Sequence, residues 1–194
     1  MTGRRALVAG TETKKIPGKA APGCLHIYCG NGKGKTTAAL GLALRAAGRG
    51  KKVLIARFLK TDDSGEVAAL KGIVGIQVMP CEKVFGFFWQ MTEEEKKEAG
   101  QYYRELLCRA WQEAVRGPYH LLILDEILAA CNHGLVEEQR LISDLRTRPP
   151  GLEVVLTGRG PSKELVDLAD YVSEIKKKKH PYDKGLRARE GIEY

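Results

Sequence analysis

The sequence predicts an α/β fold, a mostly parallel sheet with helices on both faces. Three observations carry that expectation. Strand-like and helix-like segments alternate along most of the chain, a glycine-rich loop joins the first strand to the first helix, and a later apolar run ends in two acids.

In order, "CLHIYC" (24–29) is a short apolar run entering the glycine loop, and "TTAALGLALRAAG" (36–48) has helix-forming composition and closes on Gly48. "KVLIARFL" (52–59) reads as a buried strand and "GIQVMP" (75–80) as a shorter one. Residues 92–117 form a long helix, with Thr92 as cap and Glu95 three residues on completing a capping box. Strand 120–125, helix 135–148, strand 153–158, helix 162–169 and strand 171–175 follow. Residues 1–22, rich in glycine and proline with little periodicity, read as a flexible segment ahead of one domain spanning 23–194; residues 176–194 read as a second flexible stretch.

Composition excludes several classes. A chain of 194 residues can bury a full core without disulfides. The five cysteines show no CxxC pair and no metal-ligand spacing with the four histidines, which favours a reducing interior. No apolar run reaches membrane-spanning length and the N-terminal apolar stretch is too weak for a signal peptide, so a cytoplasmic protein with no membrane partner is expected. The net charge of +8 sits in the ends: residues 1–20 carry +4, residues 171–194 carry +3, and the 150 between carry +1. That distribution argues against nucleic acid, and "KKKK" (176–179) reads as a solvated run.

The loop "CGNGKGKTT" (29–37) leaves a strand and enters a helix, the context a P-loop requires. Backbone N–H groups and the helix dipole there favour phosphate. Lys35 would reach the phosphates and Thr36 would offer its hydroxyl to magnesium. The usual spacing puts glycine where this chain has Cys29. "LLILDE" (121–126) has the Walker B form, an apolar strand whose terminal carboxylate meets that magnesium, and Asp125 and Glu126 are the candidate ligands; helix capping is their other reading. The fold class is thus a P-loop, RecA-like α/β sheet. A GTP-reading NKxD motif is absent.

"FGFFWQ" (85–90) gathers three of the four phenylalanines and one of two tryptophans. It is either a plug over the sheet edge or a flat apolar face for a large planar ligand.

The stretches "GNGKGKTTAALGLALRAAGRGKKV", "GFFW", "ILDEI", "LTGRG" and "DLADYVSEIKKKKHPYDKGLRAREGIEY" together resemble the ATP:corrinoid adenosyltransferases of the CobA/BtuR type, from about Leu25 to Tyr194. That family's P-loop also lacks the first glycine. The resemblance implies that corrinoid Co(I) attacks the 5′ carbon of ATP and releases triphosphate, with ATP seated in reverse. It places Gly30, Asn31, Gly32, Lys33, Gly34, Lys35, Thr36 and Thr37 around the triphosphate, with Mg2+ (or Mn2+) near Thr36, Asp125 and Glu126. Phe87 and Trp89 would lie under the corrin ring, displacing its lower axial base, with Phe88 where better-known members carry a small polar residue. Arg159, at the C-terminal edge of a strand, would touch nucleotide or corrinoid, a plain surface arginine being its other reading, and Lys60 after strand 52–59 would reach phosphate in the same way. An electron-donating reductase and a homodimer are also implied. An ordinary P-loop kinase or ATPase would leave "GFFW" and the tail unexplained, and an ATP-dependent nucleic-acid protein would need strongly salt-dependent affinity.

Overall fold

The structure, a computed structural model, describes residues 22–193. The expected flexible segment 1–22 lies, but for its last residue, outside them. Six strands, β1 (Leu25–Cys29), β2 (Val53–Arg57), β3 (Ile76–Val78), β4 (Leu121–Asp125), β5 (Glu153–Thr157) and β6 (Tyr171–Glu174), form one sheet in the order β3-β2-β4-β5-β1-β6. Every pairing is parallel. Each predicted strand is present, trimmed by one or two residues at its ends.

β2 and β4 are buried at every position, as central strands covered on both faces must be. Their side chains alternate between two cores. Val53, Ile55, Leu121 and Ile123 pack beneath α1 (Lys35–Ala47) and α2 (Gly65–Lys71). Leu54, Ala56, Leu122 and Leu124 face the other way, into the core shared with α3 (Glu93–Arg116), α4 (Ile127–Asn132), α5 (Glu138–Arg146) and α6 (Lys163–Leu168). α3 buries Ala99, Tyr102, Tyr103, Leu106, Leu107 and Ala110 at three- and four-residue spacing. Its predicted capping box is formed: the Thr92 hydroxyl accepts from the Glu95 N–H, and the Thr92 N–H donates to the Glu95 carboxylate.

Two short helices, α2 and α4, escaped the sequence reading. The helix expected over 135–148 begins at Glu138; Leu135 and Val136 are buried core residues in the turn before it. Register brings Cys29, Arg57, Asp125, Thr157 and Glu174, the last residues of five strands, to one sheet edge. Ligands of parallel sheets bind at this edge.

Candidate active site

The loop between β1 and α1 is shaped by what lies beside it. Gly30 has φ 109°, and a β-carbon there would stand 2.4 Å from the Ile175 carbonyl oxygen, so only glycine fits. The Gly32 N–H donates to that same carbonyl at 2.8 Å. Gly34, at φ 120°, turns the chain into α1. Cys29 raises no conflict with this geometry: it is a buried strand residue whose carbonyl accepts from Ile175 N–H, and the tight turn starts one residue later. α1 has no acidic residue in its first turn, so its positive N-terminal end stays uncompensated by its own side chains. Lys35, only 8% exposed, folds its ammonium back to the Gly32 carbonyl at 3.2 Å.

Opposite the loop, Asp125 ends β4 and is 1% exposed. Its carboxylate is held by three donors: the Thr157 hydroxyl at 2.6 Å, the Thr36 hydroxyl at 3.0 Å and the Lys60 ammonium at 2.5 Å. Lys60 also donates to the Thr36 oxygen at 2.9 Å. Glu126 takes a left-handed backbone at φ 60°, and its N–H donates to the Thr157 hydroxyl. It stands at the N-cap of α4, yet its side chain makes no capping hydrogen bond, so its carboxylate is not spent on the helix. Burial, and then the charge of Asp125, push the Glu126 carboxyl above the usual glutamate range; Lys60, Lys35 and Arg159 pull the other way. Thr157 was missed by sequence reasoning; its only signal was a hydroxyl at the end of a strand that register sets near β4.

Lys33, Lys35, Thr36, Thr37, Lys60 and Glu126 line one cleft of about 710 Å3. Its far wall is the closing segment Gly191–Glu193. Lys33 donates to the Ile192 carbonyl at 2.6 Å and faces the Glu193 carboxylate at 3.7 Å. Residues 176–193, expected to be loose, therefore take a defined path back across the P-loop. Their backbone finds partners there, as the Lys177 N–H does in donating to the Asn31 side-chain oxygen at 2.8 Å. The four lysines of the run are exposed, as expected, and three of them also border a groove. Lys176, Lys177 and Lys178 line a second groove with Gly30, Asn31 and Arg159. Asn31 and Arg159 thus sit beside the main cleft rather than in its lining, and Asn132 holds the Arg159 carbonyl at 2.8 Å.

The aromatic loop divides its rings. Phe85 packs on Tyr102 and Tyr103, and Phe88 stacks on His133 at 4.2 Å between centroids. Phe87 and Trp89 instead stack on each other, 5.0 Å apart and 11° from parallel, and are 64% and 73% exposed. The loop divides between the two sequence readings: Phe85 and Phe88 plug the core edge, while Phe87 and Trp89 present an open flat face. Phe88 turns inward and adds nothing to that face. The pair lies outside the lining of the phosphate-loop cleft, but on the loop that leaves β3 at the same sheet edge.

The family described as ATP:corrinoid adenosyltransferase BtuR/CobO/CobP matches residues 21–194. Among curated relatives, the corrinoid adenosyltransferase of Escherichia coli (strain K12) is 37% identical over 179 residues, covering 89% of this chain and 86% of that one. Corrinoid adenosyltransferase CobA of Salmonella typhimurium is 38% identical with the same coverage. The Pseudomonas aeruginosa corrinoid adenosyltransferase is 33% identical, over 89% and 84% of the two chains. Among solved structures, a KaiC-like protein from Pyrococcus horikoshii superposes with a TM-score of 0.48 at 17% identity, over 82% of this chain and 75% of that one. The family match and these relatives span nearly all of the described chain, and the chain therefore belongs to the ATP:corrinoid adenosyltransferase family, transferring the adenosyl group of ATP to a corrinoid.

Proposed function

We propose that the P-loop cleft holds the triphosphate of ATP and that the Phe87–Trp89 stack carries the lower face of the corrin ring. The observation that carries this reading is the pairing, on one sheet edge, of a buried hydroxyl–carboxylate constellation with an outward-facing aromatic pair. Co(I) of the corrinoid gives its electron pair to the 5′ carbon. The cobalt–carbon bond forms, the carbon–oxygen bond breaks, and triphosphate leaves with that bond's electrons. No proton moves at the reacting carbon, so no general base is needed.

The protein's task is to receive the charge that develops on the leaving oxygens. Lys35 and Thr36 act on the triphosphate directly, within a cradle of Gly30, Asn31, Gly32, Lys33, Gly34 and Thr37. Lys60 and Arg159 add positive charge from neighbouring loops. Thr36, Asp125 and Glu126 are all oxygen donors, and two carboxylates with a hydroxyl match magnesium (or manganese), which takes its remaining ligands from phosphate and water. When bound, that ion neutralises charge on the leaving group. Phe87 and Trp89 keep water and the axial base from the cobalt's lower face, which eases reduction to Co(I).

Residues 23–194 form the catalytic domain in this reading, a reductase supplies the electron, and the working form is a homodimer. A cytoplasmic location is supported by five cysteines that are all unpaired. No helix among the described residues is long and apolar enough to cross a membrane. Phosphorus NMR of a reaction with ATP, Mg2+ and Co(I)alamin tests the bond broken. Triphosphate is the expected product; ADP with orthophosphate would return the cleft to an ordinary ATPase.

A further inference from the structure

We propose that Lys60 is an internal stand-in for the metal, occupying the metal's place against Thr36 and Asp125 until metal and triphosphate arrive together. The geometry leaves little room for another arrangement. The Lys60 nitrogen lies 2.9 Å from the Thr36 oxygen and 2.5 Å from an Asp125 oxygen, between the two groups that would ligate the ion. The Thr36 hydroxyl donates to Asp125, and on its other side it accepts from Lys60 where a metal would approach it. A magnesium ion needs those oxygens at roughly 2.1 Å. It cannot share the space with an ammonium.

The arrangement has an electrostatic reason. Asp125 is almost fully buried, and its two hydroxyl donors carry no charge. A buried carboxylate without a counter-charge is strongly destabilising. Lys60 supplies that charge in the metal-free protein, and its flexible four-carbon stem can give the place up.

The backbone around it is fixed, and the long side chain swings from that fixed point. Leu59 is held at φ 54°, the Lys60 carbonyl accepts from the Cys81 thiol at 3.1 Å, and the buried Arg57 is paired with Asp62 across the same turn. Lys60 also lines the cleft that holds Lys35 and Thr36. Displaced from Asp125, its ammonium turns to the incoming triphosphate. Metal alone must therefore expel the cation that already neutralises Asp125. Metal with triphosphate offers that cation a new partner.

The inference rests on the proposed metal role of Thr36 and Asp125, and the experiment separates the two. Mn2+ is titrated into the full chain without nucleotide and followed by electron paramagnetic resonance, for wild type, Lys60→Met and the double variant Lys60→Met, Asp125→Asn. Lys60→Met should bind Mn2+ at least about tenfold more tightly than wild type, and Mn2+ should raise its Tm while leaving wild type unmoved. The double variant should lose both responses. Wild type should take up Mn2+ once inorganic tripolyphosphate is added. Equal uptake of Mn2+ alone by wild type and Lys60→Met would overturn the stand-in role while leaving the metal site intact. No uptake by wild type even with tripolyphosphate would instead remove the metal site itself. If Lys60→Met does not fold with or without Mn2+, Lys60→Gln, which can still donate to Thr36 but carries no charge, goes through the same titration.

Discussion

The phosphate end of the site and its aromatic end are made of opposite materials. Around Asp125 the bonds are already made by buried and half-buried groups: three donors converge on one carboxylate, and the glycine loop is pinned to the Ile175 carbonyl. Around Trp89 the reverse holds: two large rings stand in solvent, touching mainly each other. In the proposed reading the first end, Lys60 apart, is organised before its ligand arrives, as electrostatic catalysis requires, because donors that must reorganise during the reaction cost what they would contribute. The second end carries an exposed apolar face of the kind that marks a binding surface. A charged triphosphate needs fixed dipoles, whereas a broad flat ring needs only flat, dry area.

The comparison breaks most visibly at Lys35. If the phosphate end works by holding charge in the transition state, Lys35→Ala should lower turnover at saturating ATP by roughly 100-fold or more. Steady-state kinetics over a wide ATP range would show it. A raised KM with normal turnover would make Lys35 only a ground-state anchor.

Next comes the division within the aromatic loop. Phe85→Ala removes a ring packed on Tyr102 and Tyr103 and should cost about 2 kcal/mol of stability. Trp89→Ala, at a largely exposed position, should stay within about 0.5 kcal/mol of wild type. Denaturant unfolding of both variants gives the contrast, and comparable losses would merge the two halves of the loop into one structural plug.

Trp89→Ala then sharpens the functional side. Activity should fall severely when Co(II)alamin is reduced on the enzyme by a weak donor. It should fall much less when Co(I)alamin is supplied ready made. Equal losses in the two assays would separate Trp89 from the reduction step and remove the corrin-face assignment.

The smallest effect concerns Glu126. Because burial and Asp125 raise its carboxyl above the ordinary 4.5, ionising it costs more in the fold than in the unfolded chain. Metal-free wild type should therefore lose Tm relative to Glu126→Gln as pH rises from about 4.5 through the raised native value. Parallel Tm curves over that rise would mean that Glu126 is not held in a desolvated place.

Much of this molecule was legible in one dimension. The six strands showed as short apolar runs, α3 as a capped three-and-four periodicity, and the P-loop and Walker B strand as local patterns, because each is written in backbone bonds and side-chain periods spanning a few residues. Thr36 and Asp125 were therefore placed on their elements without coordinates, and Lys35 one residue ahead of the helix it opens. The tertiary structure alone decided the rest. It brought Lys60 onto Asp125 across 65 residues and Thr157 across 32. It also turned Phe88 inward and Trp89 outward from neighbouring positions, and drew the closing segment over the P-loop to Lys33. None of these has a local code. Each depends on sheet register and on which core has room for a side chain, and those are settled only when distant parts of the chain pack together.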